Sequence, residues 1–280
     1  MAGGGLPNLR DGASAGVDQA PVPAPVPPAS THVEDELFLD DGPPIFVTRH
    51  HAASDAGGDG TFAVLAPPLF EEQARTRKVL VNLARDLADA GIDAVRFDYP
   101  GTGLSEGASD ELTLAAAAAA FDRAIGYCQR LGAARIHLFG FRLGGYLALS
   151  ALPRLPAARA VVWEPILDLA GYRDELVRLE RATQRLADGE PVGIDGNPVG
   201  AALLAELATA PAIDLAQLAP LRDRITLLCW DGRAIQDAAI RAGLAATVVP
   251  DVRFSWRHIR VLEPRSPALF RATIQAVKGA

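Results

Sequence analysis

Short apolar runs that alternate with amphipathic segments constrain this chain more than any other feature. Thr61–Leu65, Ala94–Asp98, Arg135–Phe139, Ala158–Trp163, Ile225–Trp230 and Ala245–Val249 are each five or six residues long and mostly apolar. Such a run, lacking polar alternation, reads as a strand buried on both faces. Ile45–Thr48 is a further β run, following the turn-forming Asp41-Gly42-Pro43-Pro44. The intervening segments have a different period. Glu71–Ala90 places Val79, Leu80, Leu83, Leu87 and Ala90 at three- and four-residue spacing and stops at Gly91, which predicts a helix. Asp110–Leu131 predicts a second helix, its Ala115–Ala120 run having high helix propensity. Leu143–Leu152 and Ser266–Val277 predict two more. Strand and helix in alternation, with strands too apolar to face water, predict an α/β fold: a parallel sheet covered on both faces. With 49% apolar residues in 280, the chain has the material for a core of that size.

Two stretches depart from this alternation. Residues 1–31 are rich in alanine and glycine, end in a proline series and carry almost nothing large to bury. They read as a disordered segment stiffening toward polyproline II, outside a folded domain of residues 32–280. They lack the basic start and apolar stretch of a signal peptide. Between about 170 and 220 the strand signal vanishes. Residues 172–187 predict a charged amphipathic helix and residues 199–209 a more apolar one. Helices inserted between two strands of a sheet are placed to cap the carboxyl ends of the strands, where open α/β sheets bind ligands. Such a cap either covers a pocket or finishes the core.

Charge and cysteine content exclude several classes. Lysine and arginine number 27 against 34 acids, a net charge of −7, which argues against a protein that tracks nucleic-acid phosphates. Cys128 and Cys229 stand about a hundred residues apart with no CxxC, so neither a disulfide scaffold nor a cysteine zinc site is expected, and a reducing, cytoplasmic setting is. His50 and His51 have no cysteine or carboxylate at ligand spacing, and no metal is expected. No apolar run approaches the roughly 18 residues that span a bilayer.

Ile136–Leu149 (IHLFGFRLGGYLAL) reads as strand, sharp glycine turn and helix, centred on Gly140-Phe141-Arg142-Leu143-Gly144. That is the frame of a nucleophile elbow, G-x-S-x-G, in which small residues flank a strained turn holding one side chain above the sheet. Upstream stand FDYPGTGLSEG (Phe97–Gly107) and APPLFEE (Ala66–Glu72). In this order and spacing the three blocks resemble the α/β-hydrolase superfamily, in particular its serine aminopeptidase and esterase branches. The resemblance extends further to the second type of exosortase-associated hydrolase. It is carried by PPLFEE, FDYPGTGLSEG, GFRLGGYLAL, VVWEPILDLAGY and RFSWRHIRVLEP, together covering most of residues 62–264. It implies a mostly parallel twisted sheet with helices on both faces and a small helical cap. It also implies oxyanion-hole amides at Leu69 and Leu143, a triad acid after the strand Ile225–Trp230, and a triad histidine beyond Val249.

The sequence departs from a working hydrolase at the elbow. Arg142 stands where the serine would, and a guanidinium protonated at any physiological pH cannot attack a carbonyl. Tyr146 and Ser150 lie in the following helix, off the turn, and Ser105 has no elbow frame and fits the loop-bracing serine of the D-x-x-G-x-G-x-S pattern. Asp231 and Asp237 are both candidates for the acid. His258 arrives late for the histidine, and Trp256 is an alternative occupant of that position. His137, inside an apolar strand, reads as a core residue bonded to backbone.

An elbow would place Arg142 at a helix N-terminus, where free amides favour an anion and a guanidinium adds bidentate bonds to it. The alternative is that Arg142 pairs internally with Glu164, Asp168, Glu71 or Glu72, with Glu164, at the end of the neighbouring strand, the partner favoured by strand order. Three functions follow. One is an α/β-hydrolase-type enzyme with weak or absent action on an ester, thioester or amide. Another is a non-catalytic protein with a pocket for a small, anionic ligand, associated with exopolysaccharide or exosortase systems. The last, a dinucleotide-binding oxidoreductase, is disfavoured because GFRLGG is not G-x-G-x-x-G and falls too late in the sheet. No cofactor is expected.

Overall fold

The computed structural model describes residue 1 and residues 32–53, 59–184, 193–194, 197–230, 233–252 and 265–279. The expectation of disorder for the N-terminal segment lies outside the described residues. In chain order the elements are β1 (Glu34–Leu39), β2 (Ile45–His50), β3 (Thr61–Ala66), α1 (Phe70–Asp89), β4 (Asp93–Phe97), α2 (Leu114–Arg130), β5 (Arg135–Phe141), α3 (Leu143–Ala151) and β6 (Arg159–Trp163). There follow α4 (Leu169–Gln184), the two-residue strands β7 (Gly193–Ile194) and β8 (Asn197–Pro198), α5 (Ala201–Thr209), β9 (Ile225–Cys229), α6 (Arg233–Arg241), β10 (Ala246–Val248) and α7 (Pro267–Lys278).

Eight strands form one sheet in the order β1-β2-β4-β3-β5-β6-β9-β10. From β4 to β10 every pairing is parallel, and only β1 with β2 and β2 with β4 are antiparallel. The strands in the middle of the sheet are those whose sequences lack polar alternation: all six residues of β3 are buried. One face packs α2, α3 and the insertion between β6 and β9 against Val64, Val95, Leu138, Val162 and Leu227. The other packs α1 and α7 against Leu65, Phe139, Phe141, Trp163 and Leu228. On that second face Trp163 is fully buried, edge-on to Phe139 at 4.8 Å between ring centroids, with its indole N–H donating to Thr273 Oγ1 at 2.9 Å. The aromatic cluster stiffens the floor beneath the β5–α3 turn, since buried polar tips of aromatic rings are stable only when bonded.

Three expectations shift. The second helix begins at Leu114 and not Asp110, because Thr113 caps it by accepting from the Ala116 N–H at 2.9 Å. Ser109–Glu111 is instead a separate 3-10 turn. β1 was not expected, and α6 was not either. The insertion holds α4, α5 and the small β7–β8 ribbon, and Leu169, Tyr172, Leu203 and Leu207 join the core. It therefore finishes the core, and Tyr172 also reaches the elbow.

Candidate functional site

The first strand to cross over in the sheet is β4, which lies on one side of β3 while β5 lies on the other. The carboxyl ends of β3 and β5 therefore flank a topological switch point, the usual place for a ligand in an open α/β sheet. Arg142 stands there, between the last residue of β5 and the first of α3. Its backbone has φ 54° and ψ −112°, a conformation that L-residues rarely adopt. The surrounding bonds hold it in place. The Arg142 N–H donates to the Trp163 carbonyl at 3.1 Å, and the Arg142 carbonyl accepts from Gly145 at 2.9 Å, Ile166 at 3.2 Å and Tyr146 at 3.3 Å. The flanking glycines are required by contact: a Cβ at Gly140 would run into the Gly144 carbonyl, one at Gly144 into the Ala66 carbonyl, and one at Gly145 would lie 2.7 Å from Pro165 Cβ.

The Arg142 side chain is only 14% exposed. Its Nε lies 3.2 Å from Glu72 Oε1, and the Glu72 side chain is 11% exposed. Its Cζ lies 5.6 Å from the centre of the Tyr172 ring, which comes from α4 of the insertion. Glu72 enters on the first turn of α1, on the same side of the helix as the buried Leu69, Thr76 and Val79. Of the four acids expected to compete for Arg142, the structure brings Glu72 to it. Glu164 meets Arg142 through its main-chain carbonyl, at 3.5 Å from Nη1. The physical reason is the turn after β6. Glu164 has φ 40°, and its carboxylate Oε1 accepts from the Trp230 N–H at the end of β9. This bond ties the ends of two neighbouring strands, and Glu164 is buried to 3% exposure. Its negative charge is felt at Cys229, whose thiol burial and Glu164 together push up to about 12.

The two expected oxyanion donors stand at the starts of α1 and α3. Leu69 is the N-cap of α1 and Leu143 opens α3, and both are fully buried. Among the described residues neither N–H donates to a backbone carbonyl. The residue after Leu69, Phe70, has φ 53°, so the loop that presents this amide is itself held in the left-handed region.

Asp231 and His258 lie outside the described residues, as does Trp256. Asp237 is exposed on α6. The hydroxyls near the elbow are otherwise employed. Tyr146 donates to the Pro211 carbonyl at 3.0 Å, tying α3 to the end of the insertion. Ser105 accepts from the Phe46 N–H at 2.9 Å and donates to the Asp98 carbonyl at 2.7 Å, which braces the loop after β4. His137 corrects one expectation: it is buried in β5, yet its Nδ1 finds no hydrogen-bond partner. Burial, with Arg159 and Arg135 nearby, pushes the imidazole down to about 4 and keeps it neutral. Residue spacing missed a polar group at the other end of the sheet. His50, which follows the expected run Ile45–Thr48, ends β2 fully buried, accepting from Arg96 Nε at 2.9 Å with Glu34 Oε1 3.2 Å from its Nδ1. Among the described residues no three His, Cys, Asp or Glu side chains cluster to hold a metal ion. No described helix is long and apolar enough to cross a membrane.

An eight-stranded, mostly parallel sheet with an elbow at its fifth strand, covered on both faces and carrying an insertion after β6, is the α/β-hydrolase fold. Residues 75–188 match the family described as alpha/beta hydrolase fold. Among solved structures, the chain is similar to the hypothetical protein PA2218 from Pseudomonas aeruginosa, at 16% identity and a TM-score of 0.65, over 90% of this chain and 95% of that one. It is also similar to Est1E from Butyrivibrio proteoclasticus, at 14% identity and a TM-score of 0.60, over 87% and 96% of the two chains. A putative hydrolase from Agrobacterium vitis aligns at 18% identity and a TM-score of 0.56, over 88% and 98%. Comparison with curated proteins finds no match.

Proposed function

We propose that this protein is a hydrolase-fold protein with a degenerate active site: it does not cleave esters, thioesters or amides by a serine mechanism, and its centre serves to bind a small anion. The observation that carries the reading is Arg142 at the apex of the strained turn, with its guanidinium 3.2 Å from Glu72. A serine there would present an oxygen to a bound carbonyl. A guanidinium has five donors and no lone pair to share, so the same backbone geometry now offers only hydrogen bonds and positive charge. The Leu69 and Leu143 amides, which in a hydrolase would hold a developing oxyanion, then become donors to a permanent one. Glu72 balances the charge of Arg142 when no ligand is present, as a cation this buried requires. Asp231 and His258 keep the places of acid and base in this reading. The resemblance to exosortase-associated hydrolases gives the setting, a cytoplasmic protein serving surface-polysaccharide or protein-sorting machinery.

The test compares wild type with Arg142→Ser, Arg142→Ala and His258→Ala on p-nitrophenyl acetate and butyrate. Wild type is expected at the rate of buffer. Turnover well above buffer that His258→Ala abolishes would overturn the reading, with water activated by the histidine as the replacement. In parallel, acetate and inorganic phosphate are titrated by calorimetry. Binding by wild type that is lost in Arg142→Ala supports the anion centre, and equal binding by both rejects it.

A further inference from the structure

A second concavity lies on the other side of the first turns of α1. Phe70, Gln73, Ala74 and Arg77 follow the spacing i, i+3, i+4 and i+7, which puts them on one stripe of that helix. The loop after β4 faces the stripe through Gly101–Gly103, and Ser109 and Leu112 complete the wall. The enclosed volume is about 430 Å³, within the range of small-molecule sites. Its lining is mixed in a useful way. Phe70, Ala74 and Leu112 offer apolar surface, and Gln73, Thr102 and Arg77 offer polar groups.

Charge decides what fits. Among the described residues Arg77 has one carboxylate in reach, Asp98, and holds it loosely, at 3.4 and 3.5 Å. Charge-assisted bonds of this type normally close to about 2.7–2.9 Å. Asp98 is loose toward Arg77 because its carboxylate is committed elsewhere: Oδ2 accepts from the Leu104 N–H at 3.0 Å, and Gln73 Nε2 lies 3.4 Å from Oδ1. The Arg77 side chain remains 43% exposed. Glu111, the nearest acid on the opposite wall, turns its Oε2 to the Ala108 N–H at 3.3 Å. Arg77 is the one charged side chain among the described residues that line the groove, beside the apolar surface of Phe70, Ala74 and Leu112.

We infer that the groove between α1 and the loop after β4 binds a small amphipathic anion, with a carboxylate or phosphate head on Arg77 and a short apolar body against Phe70, Ala74 and Leu112. This site is separate from the Arg142 centre and does not depend on it. An alkyl carboxylate and an alkyl phosphate share the required chemistry, and the probes distinguish them.

The experiment titrates the full-length protein with hexanoate, hexyl phosphate and neutral hexanol by calorimetry. Wild type, Arg77→Gln, Ala74→Trp and Arg142→Ala are compared, each first checked for a native melting transition. At least one of the two anions is expected to bind, with hexanol weaker by about tenfold or more, the scale of one charge-assisted bond. The better anion identifies the head group. Arg77→Gln is expected to weaken that anion about tenfold, and Ala74→Trp, which fills the floor without changing charge, to abolish binding. Arg142→Ala, which removes the anion centre at the elbow, is expected to keep the binding event that Arg77→Gln weakens and Ala74→Trp abolishes. Three results overturn the inference: neither anion binding at about 10 mM, a weak binding regime by any measure; hexanol binding as well as the anions; or affinity lost in Arg142→Ala and kept in Arg77→Gln. The last would leave the Arg142 centre standing and remove only the groove.

Discussion

The turn at Arg142 stores strain that can be measured without reference to chemistry. Arg142→Ala and Arg142→Gly both delete the guanidinium from Glu72 and from the Tyr172 ring, so that loss cancels when the two variants are compared. What remains is the backbone at φ 54° and ψ −112°. Alanine suffers the same clash of Cβ with its own peptide that arginine does. The mirror image of this conformation is ordinary extended backbone, so glycine, which has no handedness, adopts it freely. A residue held in such a sparsely populated region costs about 1–3 kcal/mol. Glycine gives back about 0.5–1 kcal/mol through the greater freedom of its unfolded chain. Its advantage as an N-cap, the position Arg142 occupies on α3, adds a smaller term of the opposite sign. The net expectation is that Arg142→Gly is more stable than Arg142→Ala by about 1–2 kcal/mol. Urea unfolding followed by tryptophan fluorescence reads this directly, since Trp163 lies in the core under the turn. The two variants should share one denaturant slope and differ in midpoint. In a melting experiment the gap corresponds to about 2–4 °C per kcal/mol. Equal midpoints, or a more stable Arg142→Ala, would refute the claim that the turn is strained.

The Arg142–Glu72 pair predicts a coupling energy of about 1–3 kcal/mol in a double-mutant cycle with alanine at both positions; additive losses would show that the two side chains are neighbours without being partners. Ser105→Ala is expected to cost about 1–3 kcal/mol, because the Phe46 N–H and the Asp98 carbonyl both lose a buried partner, while leaving ester turnover where wild type has it. Were turnover to fall with unchanged stability, Ser105 would be a reacting group and not a brace. His137 sets a pH dependence. Its folded value is pushed down to about 4, while the unfolded chain takes up the proton near 6.5. Stability from this group is complete above about pH 6.5 and is lost as pH falls toward 4, to a limit of about 3 kcal/mol. His137→Leu is expected to flatten the loss between pH 7 and pH 5 in urea titrations, and a slope as steep as wild type would contradict the assignment.

The elements that could be seen in the sequence are those whose burial leaves no choice. β3, β5 and β6 lie between two layers of helices, and a strand in that place has to be mostly apolar where it is buried. β1 could not be seen because nothing in EDELFL demands a strand. Three of its six residues are acidic, and it lies at the open edge of the sheet, where charge protects against a further strand adding on. Its acids are answered only by residues far along the chain. Arg85 Nε lies 2.7 Å from Glu34, and His51 Nε2 lies 2.6 Å from Asp35. The same limit applies to the partner of Arg142. Strand order places Glu164 on the adjacent strand and therefore near. It does not reveal that a left-handed residue at the end of β6 turns the carboxylate toward Trp230 and the carbonyl toward Arg142. Glu72 approaches from α1, seventy positions away, and only the assembled sheet brings it there.

This division explains how a chain can be plain about its fold and reticent about its chemistry. The residues that force the elbow are Gly140, Gly144 and Gly145, each required because a Cβ would meet backbone or Pro165. None of those contacts involves the side chain at 142. The apex residue is held by its own N–H and carbonyl, through Trp163, Gly145, Tyr146 and Ile166, and any residue that tolerates the strain would be held in the same way. Backbone geometry of this kind can thus hold a long charged side chain at its apex, provided that side chain finds a partner. Arginine needs one more than most residues, because burying an unanswered guanidinium costs several kcal/mol. Glu72 and the Tyr172 ring supply it from two elements outside the elbow. The test of this argument is Arg142→Ser with Glu72 retained. It should fold with the same turn at lower stability than wild type, because the Arg142–Glu72 ion pair is gone. If Glu72→Gln does not restore that loss, Glu72 is not the counter-charge of Arg142.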